Sequence, residues 1–293
     1  MRKISSVRNE IQKIPGTMLD IPPPGLKDHG KIASIAYDGA KGDRRKGPEL
    51  EAVSIDSENE DPNFQTEPTV IFEIPPDIEK SKATEFLSDS AGVALKAKFL
   101  IYGIDALAWY SSFHVKNAQW GIYIKIEGLL FLASIFDGED LPLSRKLELA
   151  LHYLHRHELF HFATDYMSSQ WELVSGKPCW LPARKLRDAQ LGYNVFEETM
   201  AEAYALRGFR FPSANLREPR ATDHFKKLMM SSPPGYRDGH KFQNKSRFFM
   251  GCEQLSMNYE SSIERDFRVS QNGFDHLICP QETGPFLIRV FLR

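Results

Sequence analysis

The chain of 293 residues is predicted to fold as an α+β protein, because β-forming segments come ahead of one long helical stretch and further helical periodicity lies on either side of it. The sheet is expected to be mixed. With 42% hydrophobic and 26% charged residues, the chain holds enough apolar material for one sizeable core or two modest ones.

Residues 1–80 carry Pro22, Pro23, Pro24, Pro75 and Pro76 and a polar stretch from Asp38 to Pro68, which reads as a proline-rich arm of loops around two short strands, Lys31 to Tyr37 and Thr69 to Ile74. From Ser81 to Phe113, alanine, leucine and aromatic residues recur at helical spacing with breaks near Gly92 and Gly103, giving two or three consecutive helices. In Trp120 to Phe136, Ile122, Ile124 and Ile126 alternate with Tyr123 and Lys125 ahead of Gly128 and a second apolar run, the pattern of a hairpin or of two adjacent strands. Ser144 is then placed to cap a long helix from Arg145 to about Ser169. A loop with Gly176, Pro178 and Pro182 leads to a helix over Asn194 to Leu206, closed near Gly208. Residues 209–240 read as loops around Pro233-Pro234-Gly235, Asn244 to about Arg268 as a helix, and Pro285 to Arg293 as a strand.

Thirty-seven basic and 39 acidic side chains leave a net charge of −2, so there is no overall field to recruit nucleic acid or an anionic membrane, and neither is expected as a partner. The longest apolar run, Leu129 to Phe136, falls far short of the roughly 20 residues that span a bilayer. The basic start runs into Arg8, Asn9 and Glu10 and not into an apolar export segment, so a cytoplasmic protein is expected. Cys179, Cys252 and Cys279 are too dispersed for a disulfide framework or a thiolate zinc site.

The long helix contains His157-Glu158-Leu159-Phe160-His161, an H-E-x-x-H pattern. Histidines four apart share a helix face one turn apart, so both imidazoles can reach one Zn²⁺ with the intervening glutamate beside the open coordination position. Random placement yields the pattern in roughly one chain in fifty of this composition. A catalytic zinc needs a third protein ligand, and the next helix offers Glu197, Glu198 and Glu202. Glu198 and Glu202 share a face, so Glu198 is assigned as the ligand and Glu202 as the carboxylate that fixes a ligating histidine's tautomer. Glu197 reads as complementing the helix dipole. His152 and His155 do not stack with the histidine pair and read as facing solvent or a hydrogen-bond partner, and Asp165 reads as a brace for the site.

The run His157-Glu158-Leu159-Phe160-His161-Phe162-Ala163-Thr164-Asp165-Tyr166 resembles the active-site helix of thermolysin and related gluzincins, and Glu198-x-x-x-Glu202 resembles their third-ligand helix. The likeness covers fifteen to twenty residues. It departs in a longer separation from His161 to Glu198 and in glutamate at 202 where aspartate is usual. It implies a zincin-like catalytic domain, placed at 81–270 between the arm of 1–80 and a tail with a strand at 271–293. It also implies a downstream tyrosine or histidine that stabilises an oxyanion; Tyr236 and His240 follow the third-ligand helix in the order that the family uses, with Tyr259 and His224 behind them. Metal chemistry then implies hydrolysis of peptide bonds by a zinc-activated water with Glu158 as general base. A protein or peptide substrate is expected to add to an edge strand within Trp120 to Phe136. A regulatory role is expected, with a regulatory protein partner or with the arm or the tail from Phe274 governing access. Two other metal readings fail. A di-iron carboxylate bundle needs a second E-x-x-H segment, and a JAMM-type site lacks its serine. The rival class is a non-catalytic scaffold or binding protein with a coincidental motif, against which the intact Glu158 weighs.

Overall fold

The computed structural model describes residues 4–19, 90–116, 120–136, 138–183, 191–210, 220–260 and 290–292. The expected strands at Lys31 to Tyr37 and Thr69 to Ile74, both domain boundaries and Cys279 lie outside these residues. The described elements are α1 (Ile4–Ile11), α2 (Ser90–Tyr102), a 3-10 turn (Gly103–Ala106), β1 (Ala108–Ser111), β2 (Gly121–Ile124), α3 (Ile126–Ser134), α4 (Leu143–Ser175), α5 (Leu191–Arg210), α6 (Ala221–Met229), a 3-10 helix (Tyr236–Phe242), α7 (Lys245–Glu260) and β3 (Val290–Leu292). This is an α+β arrangement in which helices dominate around a small sheet.

The sheet is mixed, in the order β1-β2-β3. β1 pairs antiparallel with β2, Tyr110 opposite Ile122, and β3 pairs parallel with β2, Phe291 opposite Tyr123. Two expectations are corrected here. The described part of the stretch Ser81 to Phe113, from Ser90, is one helix and a 3-10 turn followed by the strand β1, and only Gly121–Ile124 of the stretch Trp120 to Phe136 is β. The apolar run after Gly128 is the helix α3, with Gly128 through Ala133 all buried. A helix buried on every side shows neither the helical nor the strand period, which is why composition misleads there. Since β2 is the central strand among the described residues, the outer strand beside α4 there is β1, not a strand within Trp120 to Phe136.

The long helix starts earlier and ends later than its pattern suggests. Pro142, and not Ser144, occupies its N-cap position, and it stops at Gly176, whose φ of +68° is readily adopted by glycine and whose N–H reaches the carbonyl of Glu172. Residues 209–240 hold the helix α6 and the 3-10 helix where loops were expected. α4 packs most extensively on α5, around a core that includes Tyr153 stacked on Phe225 at 4.1 Å with an interplanar angle of 6°. Phe160 and Phe162, fully buried on opposite sides of α4, each contribute roughly 1.5–3 kcal/mol of transfer free energy and fix the rotation of the helix between them. The N-terminal stretch joins this body through buried Val7 and Ile11, a hydrogen bond from the Arg8 guanidinium to the Val115 carbonyl (3.1 Å) and a parallel bridge between Leu19 and Val115. No described helix is long and apolar enough to cross a membrane.

Candidate metal centre

Packing α4 against α5 brings His157, His161 and Glu198 together. Nε2 of His157 lies 3.3 Å from Oε2 of Glu198 and 3.4 Å from Nε2 of His161, and the His161 nitrogen lies 3.4 Å from the same oxygen. Four donors placed tetrahedrally at about 2.0–2.1 Å from a zinc ion stand about 3.3–3.4 Å apart, so these three edges fit a tetrahedral metal. Charge-assisted hydrogen bonds are shorter, about 2.7–2.9 Å. The contact of His161 Nδ1 with Oε1 of Glu197, at 2.9 Å, has that length. The spacing thus matches shared coordination better than mutual hydrogen bonding.

Glu198 is held well below the ordinary carboxylate range. Burial would raise it, but the His161 charge and hydrogen bonds from both imidazoles outweigh that. His161 is raised well above 6.5, because the charges and hydrogen bonds of Glu198 and Glu197 overcome burial. His157 goes the other way, since burial favours its neutral form, the form that ligates metal.

The carboxyl of the motif, Glu158, is almost fully buried. Burial first, then the charges of Asp105 and Glu198, push it well above its usual range, against the opposing effects of His161 and the backbone N–H of Tyr110. Its Oε1 is buried with no hydrogen-bond partner, and so is Nδ1 of His157. A buried oxygen without a donor is costly unless a ligand completes it, which supports a site built to receive more than the chain supplies.

Glu202 sits behind His157, with Oε2 at 3.8 Å from His157 Nδ1, beyond hydrogen-bond length, and accepts the Tyr153 hydroxyl. Burial, with the Glu198 charge adding to it and the Tyr153 bond opposing, raises its carboxyl to about 8. Glu197 is the residue that sequence reasoning undervalued. Because α5 begins at Leu191 and not near Asn194, Glu197 lies beyond the first turn and the dipole explanation lapses. It is buried, orients His161, and also accepts the hydroxyls of Thr164 (3.2 Å) and Tyr259 (3.2 Å). Its proximity to Glu198 was the available signal.

Tyr236 comes to the site and His240 does not join it. The Tyr236 ring stacks on His157 at 5.7 Å, and its hydroxyl bonds to the Glu198 carboxylate. Burial first, then Asp105, Glu198 and Glu158, hold its proton on. The turn is anchored on α5 by the Thr199 hydroxyl, which donates to the Gly235 carbonyl at 3.0 Å. His240 is exposed, and its Nδ1–H donates to the Arg237 carbonyl of its own turn at 2.8 Å. His224 pairs with Glu139 at 3.1 Å. His152 and His155 pack inward, the first against Phe209 and the second buried. Burial, helped by Arg156, lowers His155 to about 4. Asp165 turns its carboxylate towards β1 and His114, where Tyr110, Ser112 and His114 take it up.

Gly103 makes room for Tyr236. Its φ is +63°, and a Cβ there would stand only 2.3 Å from the Tyr236 ring. Gly103→Ala is expected to cost about 1–3 kcal/mol in urea unfolding, from left-handed backbone strain and the overlap together. The Tyr236 ring is expected to move off His157, which the ring-current shift of the imidazole protons would report. An unchanged stability and shift would mean that the ring is not held there.

Comparison of the chain with protein-family models, with curated proteins and with solved structures finds no match.

Proposed function

We propose that the chain is a zincin-like zinc metallopeptidase, a cytoplasmic endopeptidase that cleaves protein or peptide substrates in a regulatory role. The observation that carries this reading is three metal donors spaced 3.3–3.4 Å apart beside a buried carboxyl with one unpartnered oxygen. His157, His161 and Glu198 would hold the metal, with Glu197 orienting His161 and Glu202 lying behind His157. Zinc, when bound, supplies Lewis acidity that lowers the pKa of water and polarises a carbonyl.

In this reading Glu158 takes the proton of the attacking water on Oε1 and delivers it to the leaving amine. Its raised proton affinity suits that exchange near neutral pH, where a carboxylate of ordinary pKa would be a weak base. The Tyr236 phenol, which keeps its proton, donates to the developing oxyanion. β1, the outer strand of the described sheet, whose Tyr110 N–H already meets Glu158, takes the substrate backbone in extended form.

The test compares wild type with Glu158→Gln, first for bound zinc and then by profiling new protein N-termini in cells expressing each. Equal zinc, with wild-type-specific N-termini absent from the variant, is the expected result. Equal zinc with identical N-termini would replace the peptidase by a non-catalytic metal-binding protein.

A further inference from the structure

Helix α4 carries three buried carboxyl residues seven positions apart, Glu158, Asp165 and Glu172. Seven residues are close to two helical turns, so the three acids form one stripe. The chain from β1 to His114 runs along this stripe and meets each acid in turn. The backbone N–H of Tyr110 donates to Glu158. The hydroxyls of Tyr110 and Ser112 both donate to Oδ2 of Asp165 at 2.7 Å. The His114 imidazole bridges from Oδ1 of Asp165 to Oε2 of Glu172, the second contact at 2.7 Å. Glu172 extends the line by accepting the N–H groups of Cys179 (2.8 Å) and Trp180 (3.0 Å), and the Trp180 ring stacks on His114 at 4.8 Å.

We infer that Asp165 and His114 are positioning residues that pin the strand β1 to α4, holding the Tyr110 N–H against Glu158 and setting the height of the strand beside the metal donors. β1 has only four residues and, among the described residues, pairs with β2, so contacts other than that pairing help to set its position. Only an imidazolium can donate to Asp165 and Glu172 at once. Burial disfavours that charge, but the two carboxylates overcome it and hold His114 at about 9, so the pin is closed at neutral pH. The consequence for turnover rests on the proposed peptidase activity, whereas the pinning itself does not.

The test uses the zinc-loaded full chain and two variants. Tyr110→Phe removes one tie while keeping the ring against Phe162, 5.9 Å away, and Asp165→Asn weakens the whole junction. Amide hydrogen exchange at Trp109, Tyr110 and Ser111 is expected to speed up at least tenfold in Asp165→Asn and by less in Tyr110→Phe, with the His157 to His161 turn still protected and zinc content unchanged. Cleavage of fluorescently labelled casein should lose about tenfold in kcat/KM, with kcat falling more than KM rises. Strand exchange that stays at the wild-type rate, or that rises only in step with every other amide, overturns the pinning in either variant. If the wild type cleaves no casein while the strand-specific exchange appears, the peptidase reading fails and the pinning stands.

Discussion

Glu172→Ala is expected to lower the unfolding free energy by about 3–5 kcal/mol in urea titration, the usual cost of breaking a buried ion pair from one side. Its side chain is fully buried and accepts from the His114 imidazole and from two backbone N–H groups. Truncation strands all three donors away from water. Glu172→Gln keeps an acceptor for the N–H groups but puts an amide donor where Oε2 accepted from His114. A neutral His114 can accept from that amide, so the variant should cost less than alanine. A loss under about 1 kcal/mol for alanine would mean that the network adds nothing net. The same network sets a pH signature. His114 is raised from 6.5 to about 9, so its stabilising contribution is complete below pH 6.5 and is lost as pH rises through about 9. At about 1.4 kcal/mol per pKa unit, this amounts to about 3 kcal/mol. Glu202, raised from 4.5 to about 8, also weakens the fold with rising pH, but over a lower window. His161 is also raised above 6.5 and adds to the fall, so the His114 share between pH 8 and 9 is the part that disappears in Glu172→Ala.

The parts of this architecture that were legible are those whose partners are close in sequence. His157 and His161 are one helical turn apart, and any helix there must put them on one face. Glu198 and Tyr236 were reachable because each belongs to a local pattern, an E-x-x-x-E pair and a Pro-Pro-Gly turn that follows it. The same turn separates Tyr236 from His240. At three residues per turn, Gly239 shares a side with Tyr236 and packs on Glu202, while His240 rotates outward. Glu197 was misjudged through a misplaced helix start, which shifted it into the first turn on paper. His114 could not be found at all, because its partners lie 51 and 58 residues away and nothing local distinguishes a histidine after Phe113. The strand β1 was hidden for a related reason. Ala108 to Ser111 follows the break at Gly103 by only a few residues, and it pairs with a segment read as pairing with its own neighbour. Long-range pairing decided these elements, and local propensity was overridden.

Zinc at a hundred times its Kd is expected to raise the unfolding free energy by about 2.7 kcal/mol, provided that the unfolded chain binds it weakly. At roughly 2–4 °C per kcal/mol for a chain of this size, the thermal midpoint should rise by several degrees, and chelation should reverse the shift. The physical ground is that the three donors lie on two helices, so an ion held by His157 and His161 of α4 and Glu198 of α5 crosslinks the packing that builds the core. The shift should depend on pH with a definite sign. The metal-free protein keeps a proton on His161, raised well above 6.5, and zinc must displace it. Affinity should therefore grow as pH rises from 6 to 8, in contrast to His114, whose contribution declines over the upper part of that range and beyond. His157→Ala, His161→Ala and Glu198→Ala should each abolish the zinc-dependent shift, whereas Glu197→Gln should retain it but require about 10- to 100-fold more zinc. That variant leaves His157, His161 and Glu198 in place, so a loss of shift as complete as in His161→Ala would make Glu197 itself a metal donor, and an unshifted zinc requirement would leave it a purely structural acceptor for Thr164 and Tyr259.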